Sequence, residues 1–329
     1  MKKYNVAIVG ATGMVGRTFL KVLEERKFPI NNIKMLASER SKGEIINFNQ
    51  EEFKVEVLDE NAFLNIDIAL FSAGGDISKK YAPICAEQGV LVIDNSSAWR
   101  MDKEVPLVVP EVNEDAIFEN KGIIANPNCS TIQVMSPLKV LDNLFDLERV
   151  VYTTYQSVSG SGMKGMRDLE EGVKGEEPKL YPYPIAFNCL PHIDVFLDNE
   201  YTKEEWKMIE ESRKILKKDS LKVTATCVRV PVKYGHAVAV YAECKKDVDV
   251  KMLRESLASQ EGIILVDDVK NNKYPHQRET EGKDEVFVGR VRVDNDNSRN
   301  VHMWVVADNI RKGAATNAVQ IAERYIRRD

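Results

Sequence analysis

The chain has 329 residues, 43% hydrophobic and 29% charged, enough to bury a sizeable core and to divide into two domains. Its net charge of -5, with acids and bases interspersed, argues against a surface for nucleic acid or anionic lipid, and no apolar run approaches the ~20 residues that span a bilayer. The start MKKYNVAIVGATG reaches glycine too early for a secretory signal, so a cytoplasmic protein acting on small molecules is expected.

The first hundred residues alternate short apolar runs with amphipathic ones. NVAIVG reads as a strand, RTFLKVLEER as a helix, NIKMLAS and DIALFSAGG as strands, SKKYAPICAEQG as a helix and VLVIDNSS as a strand. Continuous apolar strands between helices predict a doubly wound, Rossmann-type parallel sheet. From Cys129 onward the texture changes to longer strand-like runs without regular helices between them: VVYTTYQSVSG, LKVTATCVRVPV, HAVAVYAECK, EVFVGRVRVD and NVHMWVVAD. These predict an α+β domain with a mostly antiparallel sheet. The Gly- and Pro-rich stretch from Gly160 to about Asn199 reads as irregular, suited to a lid or a subunit contact. A helix follows, opened by a capping box from Thr202 to Glu205, with Trp206, Ile209 and Ile215 on one face. The chain closes on the amphipathic helix GAATNAVQIAERYI.

Five cysteines, odd in number and never spaced C-x-x-C, read as free thiols, and four scattered histidines give no metal pattern, so no metal site is expected. Four of the thiols (Cys85, Cys189, Cys227, Cys244) read as packing.

Three features carry chemistry. Gly10-Ala-Thr-Gly13-Met-Val-Gly16 joins the first strand to the first helix, where a glycine turn brings a dinucleotide pyrophosphate onto a helix N-terminus; a bare tight turn is the plain alternative. At the end of the second strand stands Ala37-Ser38-Glu39-Arg40-Ser41-Lys42. Its cations and hydroxyls suit the 2'-phosphate of NADP, provided that Glu39 points away, and a solvated basic loop is the other reading. Third, in GIIANPNCSTIQ a strand yields to a helix at Cys129, with Ser130 and Thr131 as caps. A helix N-terminus lowers a thiol pKa and offers N–H groups to an oxyanion, although Pro137 warns of a kink.

The chain resembles the aspartate-semialdehyde dehydrogenase family over its whole length, through GATGMVG, ASERSKG, FSAGG, DNSSAWR, NPNCST, YQSVSGSG, EEWKM, RVPVKYGH and DNIRKGAATNAVQIAE in order. The resemblance implies an NADP-dependent reductase of L-aspartyl 4-phosphate in lysine, methionine, threonine and diaminopimelate biosynthesis, acting as a homodimer or homotetramer. Residues 1–128, completed by 309–329, would bind NADP; residues 129–308 would form the catalytic and dimerisation domain. Cys129 would be the acyl-accepting nucleophile, His236 the acid/base and Gln156 the group that orients substrate. Arg229 would clamp the substrate α-carboxylate, Glu204 its α-ammonium, and Arg100, Asn128 and Lys207 the phosphate. NADP would lie on Gly10, Thr12, Gly13, Met14, Val15, Gly16, Ser38, Arg40, Ser41, Ser72, Ala73, Gly74, Ser159, Gly160 and Asn309.

Several of these residues have plainer readings. Arg229, in an otherwise apolar and hydroxyl-bearing strand, is an anion clamp or half of a structural ion pair. Glu204 and Lys207, three apart on one helix face, could simply pair at the surface. His236 is an acid/base or a satisfied core histidine. Reductases of other acyl phosphates, of the N-acetylglutamyl phosphate or glyceraldehyde-phosphate type, share the chemistry, and a nucleotide-binding regulator shares the fold. Glu204 separates the first of these, because a free α-amino group wants an anion and an acetylated one does not.

Overall fold

A computed structural model describes residues 2–327. In chain order the elements are β1 (Tyr4–Val9), α1 (Met14–Glu25), β2 (Ile30–Ala37), β3 (Ile45–Phe48), β4 (Glu51–Lys54), β5 (Glu56–Val57), β6 (Ile68–Phe71), α2 (Gly75–Glu87), β7 (Leu91–Asp94), α3 (Pro110–Asn113), β8 (Ile123–Ala125), α4 (Cys129–Phe145), β9 (Leu147–Gln156), α5 (Gly162–Gly172), α6 (Lys203–Leu216), β10 (Lys222–Arg229), β11 (His236–Cys244), α7 (Val250–Ser259), β12 (Ile263–Leu265), α8 (Gln277–Thr280), β13 (Val286–Val293), β14 (Asn300–Ala307) and α9 (Thr316–Ile326). They form two compact units, one running up to Pro127 and resuming at Ala314, the other from Asn128 to Gly313. Residues 328–329, within the segment expected to complete the first domain, lie outside the described residues. No helix among the described residues is long and apolar enough to cross a membrane.

The first unit is built on a parallel sheet of order β5-β2-β1-β6-β7-β8. Its central strands are buried along their whole length, as in β6 and β7, which is why they read as unbroken apolar runs. α9 belongs to this unit: Ala315, Ala318, Val319, Ile321 and Ala322 enter the core with Phe19, Leu23 and Ile93, and Glu323 takes a two-pronged grip from Arg26 at 2.9 and 2.7 Å. The β3/β4 hairpin escapes the sequence pattern because β4 is a short polar strand with no buried residue.

The second unit is built on a mixed sheet of order β10-β9-β11-β14-β13-β12. Its middle pairings, β9/β11, β11/β14 and β14/β13, are antiparallel as expected, while the flanking pairs β10/β9 and β13/β12 are parallel. Three expectations need correction. α7 stands between β11 and β13, its polar composition having hidden it, although Leu253 and Leu257 anchor it. The stretch from Gly160 is not irregular throughout, since α5 occupies Gly162–Gly172 with Met166 and Leu169 buried. Trp206 is 40% exposed, edge-on to Tyr201, while Ile209 and Ile215 are buried as expected, with Met208 and Leu216 beside them.

Chain reversal in this unit decides where chemistry collects. α4 ends at Asp146, in the left-handed conformation at φ 56°, and β9 starts at once, so the N-terminus of α4 returns to the C-terminal end of β9. Parallel pairing sets Arg229, the last residue of β10, beside Gln156, the last of β9. β11 runs the other way and begins there with His236. Period-2 alternation turns Gln156 to the same face as Tyr152 and Thr154, and Arg229 to that of Ala225 and Cys227.

Candidate active site

Cys129 opens α4, which runs unbroken through Pro137 to Phe145. The thiol is partly exposed, whereas Cys85, Cys227 and Cys244 are buried. Burial pushes the thiols of Cys85 and Cys244 up to about 12 and that of Cys227 well above its ordinary value, which makes them inert at neutral pH. Cys189, expected as packing, is exposed instead. Ser130 and Thr131 are not caps: both are buried within the first turn, their hydroxyls without partners among the described residues. The N-cap is Asn128, whose side chain makes no capping bond.

Asn128 faces elsewhere. Its Nδ2 donates to Glu204 Oε1 at 2.9 Å, and its Oδ1 accepts from the Cys129 thiol at 3.6 Å. Gln156 Nε2 donates to the same Glu204 oxygen at 3.1 Å, while Gln156 Oε1 accepts from Thr154 at 2.9 Å. Lys207 Nζ donates to Glu204 Oε2 at 3.1 Å and to Asp194 at 2.7 Å. The surface-pair reading of Glu204 and Lys207 is therefore wrong. Glu204 is 5% exposed because α6 packs against α4 and β10 on that face. Burial alone would raise its carboxyl; the Lys207 charge and the bonds from Asn128 and Gln156 outweigh it and hold the group at about 2. A carboxylate with three donors around it, one of them the Lys207 ammonium, is held ionised.

Arg229 is 5% exposed and donates Nη1 to the Ser157 carbonyl at 2.6 Å. Its Nε has no partner, and it pairs with no carboxylate among the described residues, which removes the ion-pair reading. A buried, unpaired donor costs about 1–3 kcal/mol, and more on a cation. An anion arriving there would recover it.

His236 is fully buried. Its Nδ1 meets the Ser157 N–H and Oγ, both at 3.1 Å, and its Nε2 has no hydrogen-bond partner among the described residues. The core-histidine reading therefore holds for one edge of the ring only. Burial, reinforced by the Arg229 charge, pulls its pKa down to about 3. A Cβ on Gly160 would lie 2.9 Å from Arg229 Nη1 and 3.3 Å from His236 Nε2, so the absence of a side chain keeps that edge open. Gly313 approaches the Cys129 Cβ as closely, at 3.0 Å from its own notional Cβ. Asn309, expected at the cofactor, uses its Oδ1 to accept from Ser157 Oγ, Ser159 Oγ and Gly235 N and its Nδ2 to donate to Ser159, fixing the loop under His236. Sequence reasoning does not reach Ser157, whose only signal is its place beside Gln156, nor Glu211, two turns along α6 from Glu204.

The remaining expected residues lie in the first unit. Arg100, 8% exposed, is held by the carbonyls of Asn126 and Asn95, each at 2.9 Å. Gly10 has φ +86°, and a Cβ there would strike the Ser72 carbonyl at 2.9 Å; one on Gly16 would strike the Gly10 carbonyl at 2.2 Å. Gly13 caps α1 with no side-chain bond, which leaves Thr12, Met14 and Val15 around an open helix start. Ser72 Oγ is buried without a partner among the described residues, and Ala73 and Gly74 follow it into α2. Ser41 Oγ lies 3.4 Å from Thr12 Oγ1, Ser38 and Arg40 are exposed beside them, and Glu39 is turned to Lys42 at 3.1 Å. A glycine cradle, free N–H groups and an orphaned hydroxyl fit a dinucleotide.

Two family models match the chain: the semialdehyde dehydrogenase NAD binding domain over residues 5–120 and the semialdehyde dehydrogenase dimerisation domain over residues 138–312. The fold is thus that of a nicotinamide-dependent semialdehyde dehydrogenase. An aspartate-semialdehyde dehydrogenase of Aquifex aeolicus is 55% identical over 98% of this chain and 98% of its own. The crystal structure of Vibrio cholerae aspartate semialdehyde dehydrogenase II complexed with ASA superposes with a TM-score of 0.96 at 49% identity, covering 99% of both chains. A Candida albicans aspartate semialdehyde dehydrogenase with NADP gives 0.77 at 25% identity over 98% of both. The chain belongs to the aspartate-semialdehyde dehydrogenase family.

Proposed function

We propose that the protein interconverts L-aspartyl 4-phosphate and L-aspartate 4-semialdehyde plus phosphate, through a thioester on Cys129, in the biosynthesis of diaminopimelate, lysine, methionine and threonine. The observation that carries this reading is the pair of buried charges on either side of Gln156: an ionised Glu204, matched to an α-ammonium, and an Arg229 whose Nε lacks a partner among the described residues, matched to an α-carboxylate. An acetylated amino group would bring Glu204 no charge beyond that of Lys207, and the relatives support the aspartyl substrate over the N-acetylglutamyl one.

Cys129 Sγ attacks the acyl carbon, phosphate leaves, and a thioester forms; that carbonyl accepts hydride far more readily than a carboxylate does. NADP, when bound, supplies or receives the hydride. Gln156, fixed by Thr154 and Glu204, orients the acyl group. His236 Nε2–H donates to the oxygen that hydride addition leaves charged, and breaking the C–S bond releases the aldehyde and restores the thiolate. Lys207, Asn128 and Arg100 are the phosphate-binding groups. Residues 1–128 with 309–329 act as the NADP domain and 129–308 as the catalytic and dimerisation domain of a cytoplasmic homodimer or homotetramer.

The deciding assay is oxidation of aspartate semialdehyde with and without phosphate, first with NADP and then with NAD. Turnover that needs phosphate is expected; its absence with both cofactors overturns the reading. Arg40→Ala raises KM for NADP about 10- to 100-fold and leaves that for NAD within twofold, because a guanidinium that grips a 2'-phosphate contributes about 1.5–3 kcal/mol. Equal losses with both cofactors contradict the assignment. Arg229→Lys keeps the charge and loses the fork, so kcat/KM falls about 10- to 100-fold. With 3-aminopropanal, which lacks the carboxylate, Arg229→Lys and wild type should agree within about threefold.

A further inference from the structure

We propose that Glu211 is a positioning residue that fixes the Cys129 nucleophile through the backbone of Asn128. Glu211 is 1% exposed, a carboxylate buried with no part in substrate or cofactor binding as assigned above. Its Oε2 accepts the Asn128 N–H at 2.7 Å. Seven residues separate it from Glu204, which is two turns of helix and the same face of α6. α6 therefore holds Asn128 twice: Glu211 takes the main-chain N–H, and Glu204 takes the side-chain Nδ2 at 2.9 Å.

A carboxylate only accepts, so the grip of Glu204 sets which way the Asn128 amide faces, with Oδ1 toward the thiol at 3.6 Å. The grip of Glu211 sets the backbone from which that amide and the next residue, Cys129, both spring. Asn128 has extended geometry at φ -62°, ψ 142° and no side-chain cap of its own; its carbonyl accepts from the Thr131 and Ile132 N–H groups, each at 2.9 Å, and Glu211 holds the other side of the residue, its N–H. Burying a carboxylate there is costly unless something repays it. The positive end of α4 and the short N–H bond do so, and a defined Sγ position is the result.

The inference rests on Cys129 being the nucleophile, and alkylation of Cys129 by iodoacetamide tests it without reference to any substrate. Two variants of similar volume separate the roles. Glu211→Gln keeps an acceptor for the Asn128 N–H; Glu211→Met does not. Alkylation of Cys129, read by peptide mass spectrometry per folded molecule, and kcat for phosphate-dependent aldehyde oxidation are followed together. We expect Glu211→Gln to stay within about threefold of wild type in both, and Glu211→Met to change the alkylation rate and lower kcat by about 10- to 100-fold with KM little moved, the scale of a 1 Å misplacement. If Glu211→Met does not fold, Glu211→Asp, which withdraws the carboxylate by one methylene, takes its place with the same expectations. A folded Met or Asp variant with alkylation and kcat within twofold of wild type overturns the proposal. So does a variant that loses thermal stability and kcat while Cys129 alkylates at the wild-type rate, since that is a structural role only. Should wild type fail to oxidise aspartate semialdehyde, the functional reading fails while the alkylation comparison still decides on Glu211.

Discussion

Cys129→Ser is expected to lower phosphate-dependent oxidation of aspartate semialdehyde at least about 10³-fold, because a nucleophile acts as part of a unit and its loss removes the covalent route entirely. A serine hydroxyl is ionised far less readily than a thiol, and the N-terminus of α4 offers too little field to close that gap. Folding should survive the change. The site is partly exposed, the oxygen is smaller than sulfur, and Asn128 Oδ1, which accepts from the thiol at 3.6 Å, can accept from a hydroxyl as well. The check has two parts: the steady-state rate, and recovery of an acylated Cys129 peptide after acid quench of wild type with aldehyde and oxidised cofactor. An active Ser variant, or acylation at Cys189, the other thiol that solvent reaches, would mean that the nucleophile is misassigned.

What the sequence makes legible here follows from the range over which each signal acts. Strands buried on both sides, such as Ile68–Phe71 and Leu91–Asp94, announce themselves as apolar runs, and the turn at Gly10 is readable because only glycine tolerates φ +86° so close to the Ser72 carbonyl. The capping box at Thr202 is equally local, and both of its bonds form, Thr202 N to Glu205 Oε2 at 2.7 Å and Glu205 N to Thr202 Oγ1 at 3.3 Å. Glu204 and Lys207 show the limit. Spacing puts them on one face of α6 but says nothing of what packs there, so a surface pair and a buried binding group look alike until α4 and β10 are in place. Ser130 and Thr131 fail as caps for a related reason. A hydroxyl before a helix and one inside its first turn differ by a single residue, and the helix begins at Cys129 itself. Ser157 and Glu211 matter only through contacts 79 and 83 residues away in the chain, with His236 and Asn128, which no local pattern encodes.

His236→Gln is expected to lower kcat in both directions by about 10²- to 10³-fold, the usual contribution of one placed donor to a developing oxyanion. The Ser157 N–H can only donate, so Nδ1 of the neutral ring holds a lone pair and the proton sits on Nε2. With its pKa near 3, the ring is uncharged at pH 7, and in the resting enzyme it is a hydrogen-bond donor toward a substrate oxygen rather than a base toward the thiol. Alkylation of Cys129 should therefore proceed within about threefold of wild type in His236→Gln; a large fall would make the ring the base that ionises the sulfur. The same burial links His236 to stability. Its folded pKa is depressed from 6.5 to about 3, so between those values the unfolded chain binds more protons, and stability falls as the pH drops through that window. Glu204, held at about 2 against an ordinary 4.5, adds loss in the same direction, but only below about pH 4.5. Between pH 6.5 and 4.5 the histidine acts alone of the two. At about 1.4 kcal/mol per unit, wild type should lose about 2 kcal/mol of unfolding free energy across that interval that His236→Gln does not lose. Urea titrations of both proteins at three pH values read this difference directly, and parallel pH profiles would show that the ring is not held neutral by its burial.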